Sequence, residues 1–264
     1  MKPNFCKAFF SDKLIATITA ALNEHNQELI NAISYCTKPA GKYLRPQLVY
    51  ATGQMFEINT NKLLPIALAI EMIHLYSLIH DDLPCMDNDN YRRGKLSCHK
   101  AYNESTAILA GNSLQAMACE IVAAATALTS EQKVCIILEI TRASGPKGLM
   151  NGQYLDLNLP AYNKDILFSL KTGSLFTAAI MSPLHLAQDS IKATTHSQLL
   201  KFANTIGTAY QWYDDSIDNN CQISKDKAAK LKQLALNLIT HLPNNQQLKQ
   251  CIELILPINT TSLA

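Results

Sequence analysis

The stretch that decides the fold is TNKLLPIALAIEMIHLYSLIHDD, residues 60–82. Its apolar run, Leu63 to Ile79, contains Pro65, Glu71 and His74. A membrane span takes about 20 mainly apolar residues. The run is too short and too polar for that and reads instead as a buried core helix. Asn59 or Thr60 would cap its start, and Pro84 would stop it just beyond Asp82. The helix therefore delivers two adjacent carboxylates, Asp81 and Asp82, at its C-terminal end. Partial negative charge gathers at that end, so two acids there call for a cation. Asp87 returns after the loop Leu83-Pro84-Cys85-Met86 and adds a third carboxylate.

Outward from this stretch the chain keeps helical periodicity. Asp12–Tyr35 reads as an amphipathic helix, with Leu14, Ile18, Leu22, Leu29 and Ile33 along one side. Pro39-Ala40-Gly41 breaks it, and Arg45–Phe56 reads as the next helix. Asp87–Lys95 reads as a charged loop. Glu104–Leu128 is apolar on nearly every face and is expected at the centre of the domain. Thr129-Ser130-Glu131-Gln132 is a capping-box pattern that starts a further helix. Later helices are expected over Gly148–Leu157, Lys164–Met181, Thr195–Ile217, Lys225–His241 and Asn245–Leu256. No strand alternation, linker or low-complexity tract stands out. The expectation is one all-α domain over residues 1–264.

Composition supports this and excludes other classes. Nine glycines in 264 residues, with ten scattered prolines, suit long helices interrupted at prolines. A formal charge of +2 gives no bulk attraction to nucleic acid or acidic membranes. The eight cysteines show no C-x-x-C pair and read as small packing residues of a cytoplasmic chain. Met1–Ser11 lacks the apolar core of a signal peptide. The histidines show no zinc spacing.

A second acidic cluster follows at Asp214-Asp215-Ser216-Ile217-Asp218, after the largely apolar Tyr210-Gln211-Trp212-Tyr213. Asp214 and Asp218 are four apart and share a helical face, where like charges repel unless something compensates. Hard divalent cations such as Mg²⁺ are held by a few carboxylates plus substrate phosphates. Basic residues accompany the acids. Lys42 and Arg45 stand three apart at a helix start, a place that favours anions. Arg92-Arg93 follows the first cluster, and guanidinium matches phosphate oxygens bidentately. Lys171 and Thr172 lie between the apolar Leu170 and Leu175, and His74 lies two helical turns before Asp81. Together these residues point to a cavity that grips a Mg²⁺-bound diphosphate. The plainer readings are a solvated acidic helix end, a snorkelling lysine and a satisfied core histidine.

These motifs, in this order and spacing from Gly41 to Asp218, resemble the trans-isoprenyl diphosphate synthase family, and specifically its farnesyl and geranylgeranyl diphosphate synthases. The resemblance rests on Glu71–Asp89, Arg92–Lys95, Cys98–Ala101, Gly41-Lys42 with Arg45-Pro46, Gly152-Gln153 with Asp156, Lys171–Gly173 and Tyr210–Asp215. It implies the isoprenoid synthase fold, a helical bundle around an apolar cavity, and head-to-tail joining of isopentenyl diphosphate to an allylic diphosphate. Asp81, Asp87 and Asp214 would hold Mg²⁺, with Asp82, Asp215 and Asp218 supporting directly or through water. Arg92, Lys171, Thr172 and Gln211 would contact the allylic substrate. Lys42, Arg45, His74 and Arg93 would bind isopentenyl diphosphate. Tyr76, five residues before Asp81, would floor the cavity and favour a farnesyl product, while the small Ser77 leaves room for geranylgeranyl. A homodimer is implied as well.

Several positions depart from the family pattern. Tyr43 stands where a basic residue is usual, Leu96 where proline is, and Ala40 and Asn151 replace glycines. After Asp218 the family's longer segment, with a lysine that reaches the allylic diphosphate, is shortened to 219–224. Lys225 or Lys227 would be the substitutes. Two other readings follow: an impaired or non-catalytic partner subunit, and a class I terpene cyclase. A cyclase would replace the second aspartate cluster and would not need the Lys42/Arg45 pair.

Overall fold

The structure is a computed structural model that describes residues 5–20, 27–159, 162–187 and 191–258. Among them helices dominate: α1 Lys7–Ala20, α2 Gln27–Cys36, α3 Leu44–Met55, α4 Thr60–Asp81, α5 Cys98–Ala101, α6 Glu104–Ala124, α7 Ser130–Ser144, α8 Leu149–Asn158, α9 Lys164–Phe168, α10 Ser174–Met181, α11 Ala193–Asp218, α12 Gln222–Ile239 and α13 Gln246–Ile255. The all-α expectation holds. A two-stranded ribbon interrupts it, with β1 Tyr91–Arg92 paired antiparallel to β2 Lys95–Leu96. The loop between them is Arg93-Gly94, both in the left-handed region at φ 54° and 77°. Glycine enters that region without strain and arginine does not.

The chain groups into two compact units that interleave in sequence. One comprises Met1–Tyr43 and Leu68–Ala124, the other Leu44–Ala67 and Ala125–Ala264. In the first, α2 packs on α1, α5 and α6. Phe10, Leu14, Ile18 and Ile33 are essentially without exposure there. In the second, α10 packs on α3, α7 and α11, and α12 lies along α11. Its core includes the fully buried Phe176, Phe202, Leu199 and Ile206. Burying one such side chain stabilises by about 1.5–3 kcal/mol. Lys232 is also buried, and its ammonium meets Glu253 Oε2 at 2.6 Å and the Ile258 carbonyl at 2.8 Å.

Some boundaries move for visible reasons. The single helix expected over 12–35 is two, α1 and α2, and part of the expected span lies outside the described residues. The Thr129 capping box forms: its hydroxyl accepts from Gln132 N, and the Gln132 side chain accepts from Thr129 N. The helix expected over 164–181 contains a π turn at Ser169–Gly173. α6 is not fully enclosed. Ala107, Gly111, Leu114 and Ala118 are buried, but Ile108 is 42% and Leu109 56% exposed. Its apolar composition therefore does not mark a central helix. By length and composition α4, α6 and the run 164–186 would each suffice to cross a membrane; 78% of the α4 window and 67% of the third are buried within the protein, against 39% for α6.

Candidate functional site

In the first unit, α4 ends at Asp81 and the chain loops back on itself. The Asp87 amide donates to the Asp81 carbonyl at 2.8 Å, so the two residues are held together through the backbone. Asp82 goes inward and is 2% exposed. Its Oδ1 accepts from Arg92 Nε at 2.9 Å and from Arg92 Nη2, which also reaches Asp89. Burial raises the Asp82 carboxyl above the ordinary range, against the pull of Arg92. Burial also works against the charge on Arg92, but the hydrogen bond and charge of Asp82 outweigh it and hold the guanidinium protonated. Asp82, expected beside a metal, thus anchors the ribbon through Arg92. Arg92, expected on the allylic substrate, is fixed from behind by two carboxylates.

Arg93 is exposed, and its Nη1 donates to the Pro39 carbonyl at 3.2 Å. This ties the ribbon to the segment that carries the exposed Lys42. His74 is half-buried on α4, where its carbonyl accepts from the Ser77 hydroxyl at 2.9 Å. Tyr76 is 4% exposed and meets the His80 ring edge-on at 5.0 Å. Burial first, and then Asp81, raises its phenol pKa.

In the second unit the π turn presents Lys171 and Thr172. The Thr172 hydroxyl donates to Gln211 Oε1 at 2.6 Å, and Lys171 Nζ pairs with Asp156 on α8 at 2.5 Å. Gln211, Asp214 and Asp218 follow at i, i+3 and i+7 on α11, which is one face of a helix. The turn can approach because residue 152 is glycine. A Cβ there would lie 2.2 Å from Lys171 N and 2.4 Å from its Cα. Arg45, on α3, lies over the Phe176 ring at 4.7 Å. Asp215 turns to other partners. It accepts from Ser224 Oγ at 2.6 Å, Lys164 Nζ at 3.2 Å and Asn219 Nδ2 at 3.2 Å. Burial opposes its ionisation, but Ser224 and Lys164 outweigh it and hold its pKa below the usual value.

Four residues outside the sequence-level site set join this cluster. Asp156 positions Lys171, and Lys164 reaches the second acidic cluster. Asp165 accepts from Trp212 Nε1 at 2.8 Å and from Lys227 Nζ at 2.6 Å. Gln153 is 3% exposed, and neither of its amide atoms has a hydrogen-bond partner among the described residues. An unmet buried amide is a demand that a ligand or water satisfies. Asp156 and Gln153 were visible as part of one motif; Lys164 and Asp165 had no signal short of the fold. Lys227, a candidate for the missing lysine, is engaged with Asp165 and the Trp212 ring.

The donor set suits a hard cation. Asp81, Asp87, Asp214 and Asp218 themselves offer only carboxylate oxygen. Among the described residues no three His, Cys, Asp or Glu side chains gather into a cage. Mg²⁺ characteristically takes one or two carboxylates and completes its shell with water and substrate phosphate.

The family described as Polyprenyl synthetase matches residues 26–253. A farnesyl diphosphate synthase of Haemophilus influenzae is 39% identical over 218 residues, covering 80% of this chain and 74% of that protein. One of Escherichia coli is 39% identical over 215 residues, covering 79% and 72%. Among solved structures, a geranyltransferase from Legionella pneumophila superposes with a TM-score of 0.88 at 31% identity, covering 95% of this chain and 94% of its own. An FPP/GFPP synthase from Zymomonas mobilis gives 0.86 at 30%, covering 95% and 97%.

Proposed function

The chain belongs to the polyprenyl synthetase family, and from that premise we propose that it is a prenyltransferase joining isopentenyl diphosphate to dimethylallyl or geranyl diphosphate, with farnesyl diphosphate as its product. The observation that carries this is the second-unit cluster. The π turn sets Lys171 and Thr172 against Gln211, one helical turn from Asp214 on the same face as Asp218. π turns recur at functional sites because they redirect side chains that a regular helix would bury.

The residues divide the work by charge. Arg92 in the first unit and Lys171 in the second would each offer positive charge to a diphosphate. Each is held by a carboxylate behind it, Asp82 and Asp156. Charge placed in advance where it develops lowers a barrier without reorganisation during the step. Asp81, Asp87, Asp214 and Asp218 would hold Mg²⁺, with Asp82 and Asp215 behind them; when bound, the ion supplies Lewis-acid stabilisation of the leaving group. Lys42, Arg45, His74 and Arg93 would bind isopentenyl diphosphate, whose double bond attacks the allylic cation before a proton leaves. Tyr76, buried on α4, would set the length limit. A homodimer is part of the reading, supported by the exposed apolar face of α6 at Ile108 and Leu109.

Incubation with each allylic diphosphate, isopentenyl diphosphate and Mg²⁺, with products resolved by chain length, tests the proposal. Elongation to a farnesyl product is expected. Asp81→Ala and Asp214→Ala should each lower kcat by about 10²-fold or more while circular dichroism is unchanged. Absence of turnover by the folded protein would overturn the proposal and favour a non-catalytic partner subunit, the reading suggested by the short 219–224 segment.

A further inference from the structure

Two of the cysteines meet in the first unit. Cys36 is the last residue of α2 and Cys98 the first of α5, and these helices pack together. The two thiols are hydrogen-bonded to each other, and both line one cleft with Lys38, Arg92, Arg93 and Lys95. Lys95 brings a cation to the pair. Its ammonium donates to the Tyr35 carbonyl and lies 3.4 Å from the Tyr35 ring centroid. The sulfurs are inequivalent. The hydrogen bond from Cys36 holds the Cys98 thiol below its ordinary pKa, and that same bond together with burial pushes Cys36 up. The charge of Lys95 favours the thiolate at either position. A thiolate with a resolving thiol in contact and a cation beside it is the arrangement from which thiol oxidation proceeds. Nothing in prenyl transfer uses either sulfur.

We propose that Cys36 and Cys98 form a modification site for hydrogen peroxide and close to a disulfide. The Cys98 thiolate attacks one peroxide oxygen, the O–O bond breaks, and Cys98 becomes a sulfenic acid. The hydroxide released takes up a proton as water. The Cys36 sulfur then attacks the Cys98 sulfur, and its own proton leaves with the departing hydroxide as a second water. Each sulfur gives up one electron, and the peroxide takes both. Cys98 is 3% exposed, which limits the oxidant to the size of hydrogen peroxide, while the half-buried Cys36 lies nearer solvent. The new bond fastens the end of α2 to the base of the ribbon. Arg93 already reaches across to the Pro39 carbonyl, and the missing side chain of Gly41 admits its guanidinium, 2.8 Å from where a Cβ would stand. Oxidation therefore joins the segment of Lys42 covalently to the ribbon of Arg92 and Arg93.

The test reads sulfur chemistry and is independent of turnover. Full-length reduced protein, freed of reductant, is titrated with hydrogen peroxide, alkylated and digested for mass spectrometry. The expected result is a Cys36–Cys98 linked peptide, lighter by two hydrogens, which forms before any other disulfide and is released by dithiothreitol. In Cys36→Ser the linked peptide disappears and Cys98 is trapped by dimedone as its sulfenic acid. If Cys36 and Cys98 remain alkylatable while other cysteines are consumed, or if a different pair forms first, the inference is overturned. The native protein's peptide map decides this even where the variant fails to fold.

Discussion

Gly152→Ala replaces a hydrogen with a methyl group at the place where α8 meets the π turn. The new Cβ would stand 2.2 Å from Lys171 N, 2.4 Å from Lys171 Cα and 2.8 Å from Leu170 C. All three are backbone atoms, so no side chain can swing aside. Restoring van der Waals distance displaces the turn by about 1 Å, since non-bonded heavy atoms settle near 3.5 Å. Overpacking of this kind costs about 1–3 kcal/mol, a fraction of the 5–15 kcal/mol that holds a domain folded. The variant should fold, with a melting temperature lower by several degrees. Activity should suffer more. A misplacement near 1 Å in a positioning element lowers turnover by about 10²-fold, and Lys171, Thr172 and their contact to Gln211 all ride on this turn. The assay is kcat/KM with saturating isopentenyl diphosphate and varied allylic diphosphate, beside a thermal melt. A folded Gly152→Ala protein with native kcat/KM would show that the approach of α8 does not govern where Lys171 acts.

Three other perturbations separate the roles of individual side chains. Asp82→Asn removes the buried charge that faces Arg92 and should cost about 1–3 kcal/mol, less than a fully buried pair because Arg92 is 35% exposed; an unchanged melt would discount the anchor. Tyr76→Ala opens the space below Asp81, so chromatography of the products should show chains longer than those of the native enzyme, and an identical distribution would remove Tyr76 as the floor. Asp165 sets a pH dependence: burial opposes its ionisation, but Lys227 and Trp212 outweigh it and hold the pKa below the ordinary carboxylate value. A depressed folded pKa stabilises above the unfolded value, about 3.9, and that stability is lost as pH falls through the folded pKa. Asp165→Asn should therefore flatten the fall of the melting temperature below about pH 4, and a slope equal to native would rule the pairing out.

Much of this was legible in the sequence because local chemistry decided it. The apolar run before Asp81, the stop at Pro84 and the box of Thr129 and Gln132 each depend on neighbours within a few residues. The misses have a common cause. Arg93-Gly94 turns a hairpin without the Asn-Gly or Asp-Gly pair that usually signals one. Ser169–Gly173 keeps helical periodicity, and a single i→i+5 turn leaves no mark in the pattern of apolar residues. α6 is apolar nearly all round, yet Ile108 and Leu109 face outward, since hydrophobicity cannot distinguish burial within the chain from a surface awaiting a partner.

The aspartates show the same limit at the level of chemistry. Six carboxylates in two clusters look equivalent in sequence, and repulsion among them argues for cations without saying which. The fold supplies some of those cations itself. Arg92 comes from 10 residues away to Asp82, and Lys164 from 51 residues away to Asp215. One acid in each cluster thereby has a protein cation as its partner. This changes what mutagenesis should find. Loss of Asp82 or Asp215 should act through the placement of Arg92 or Lys164 and register partly as lost stability. Loss of Asp81 or Asp214 should act on turnover alone. Aspartates that read as one motif thus divide into two classes by the origin of their counter-charge.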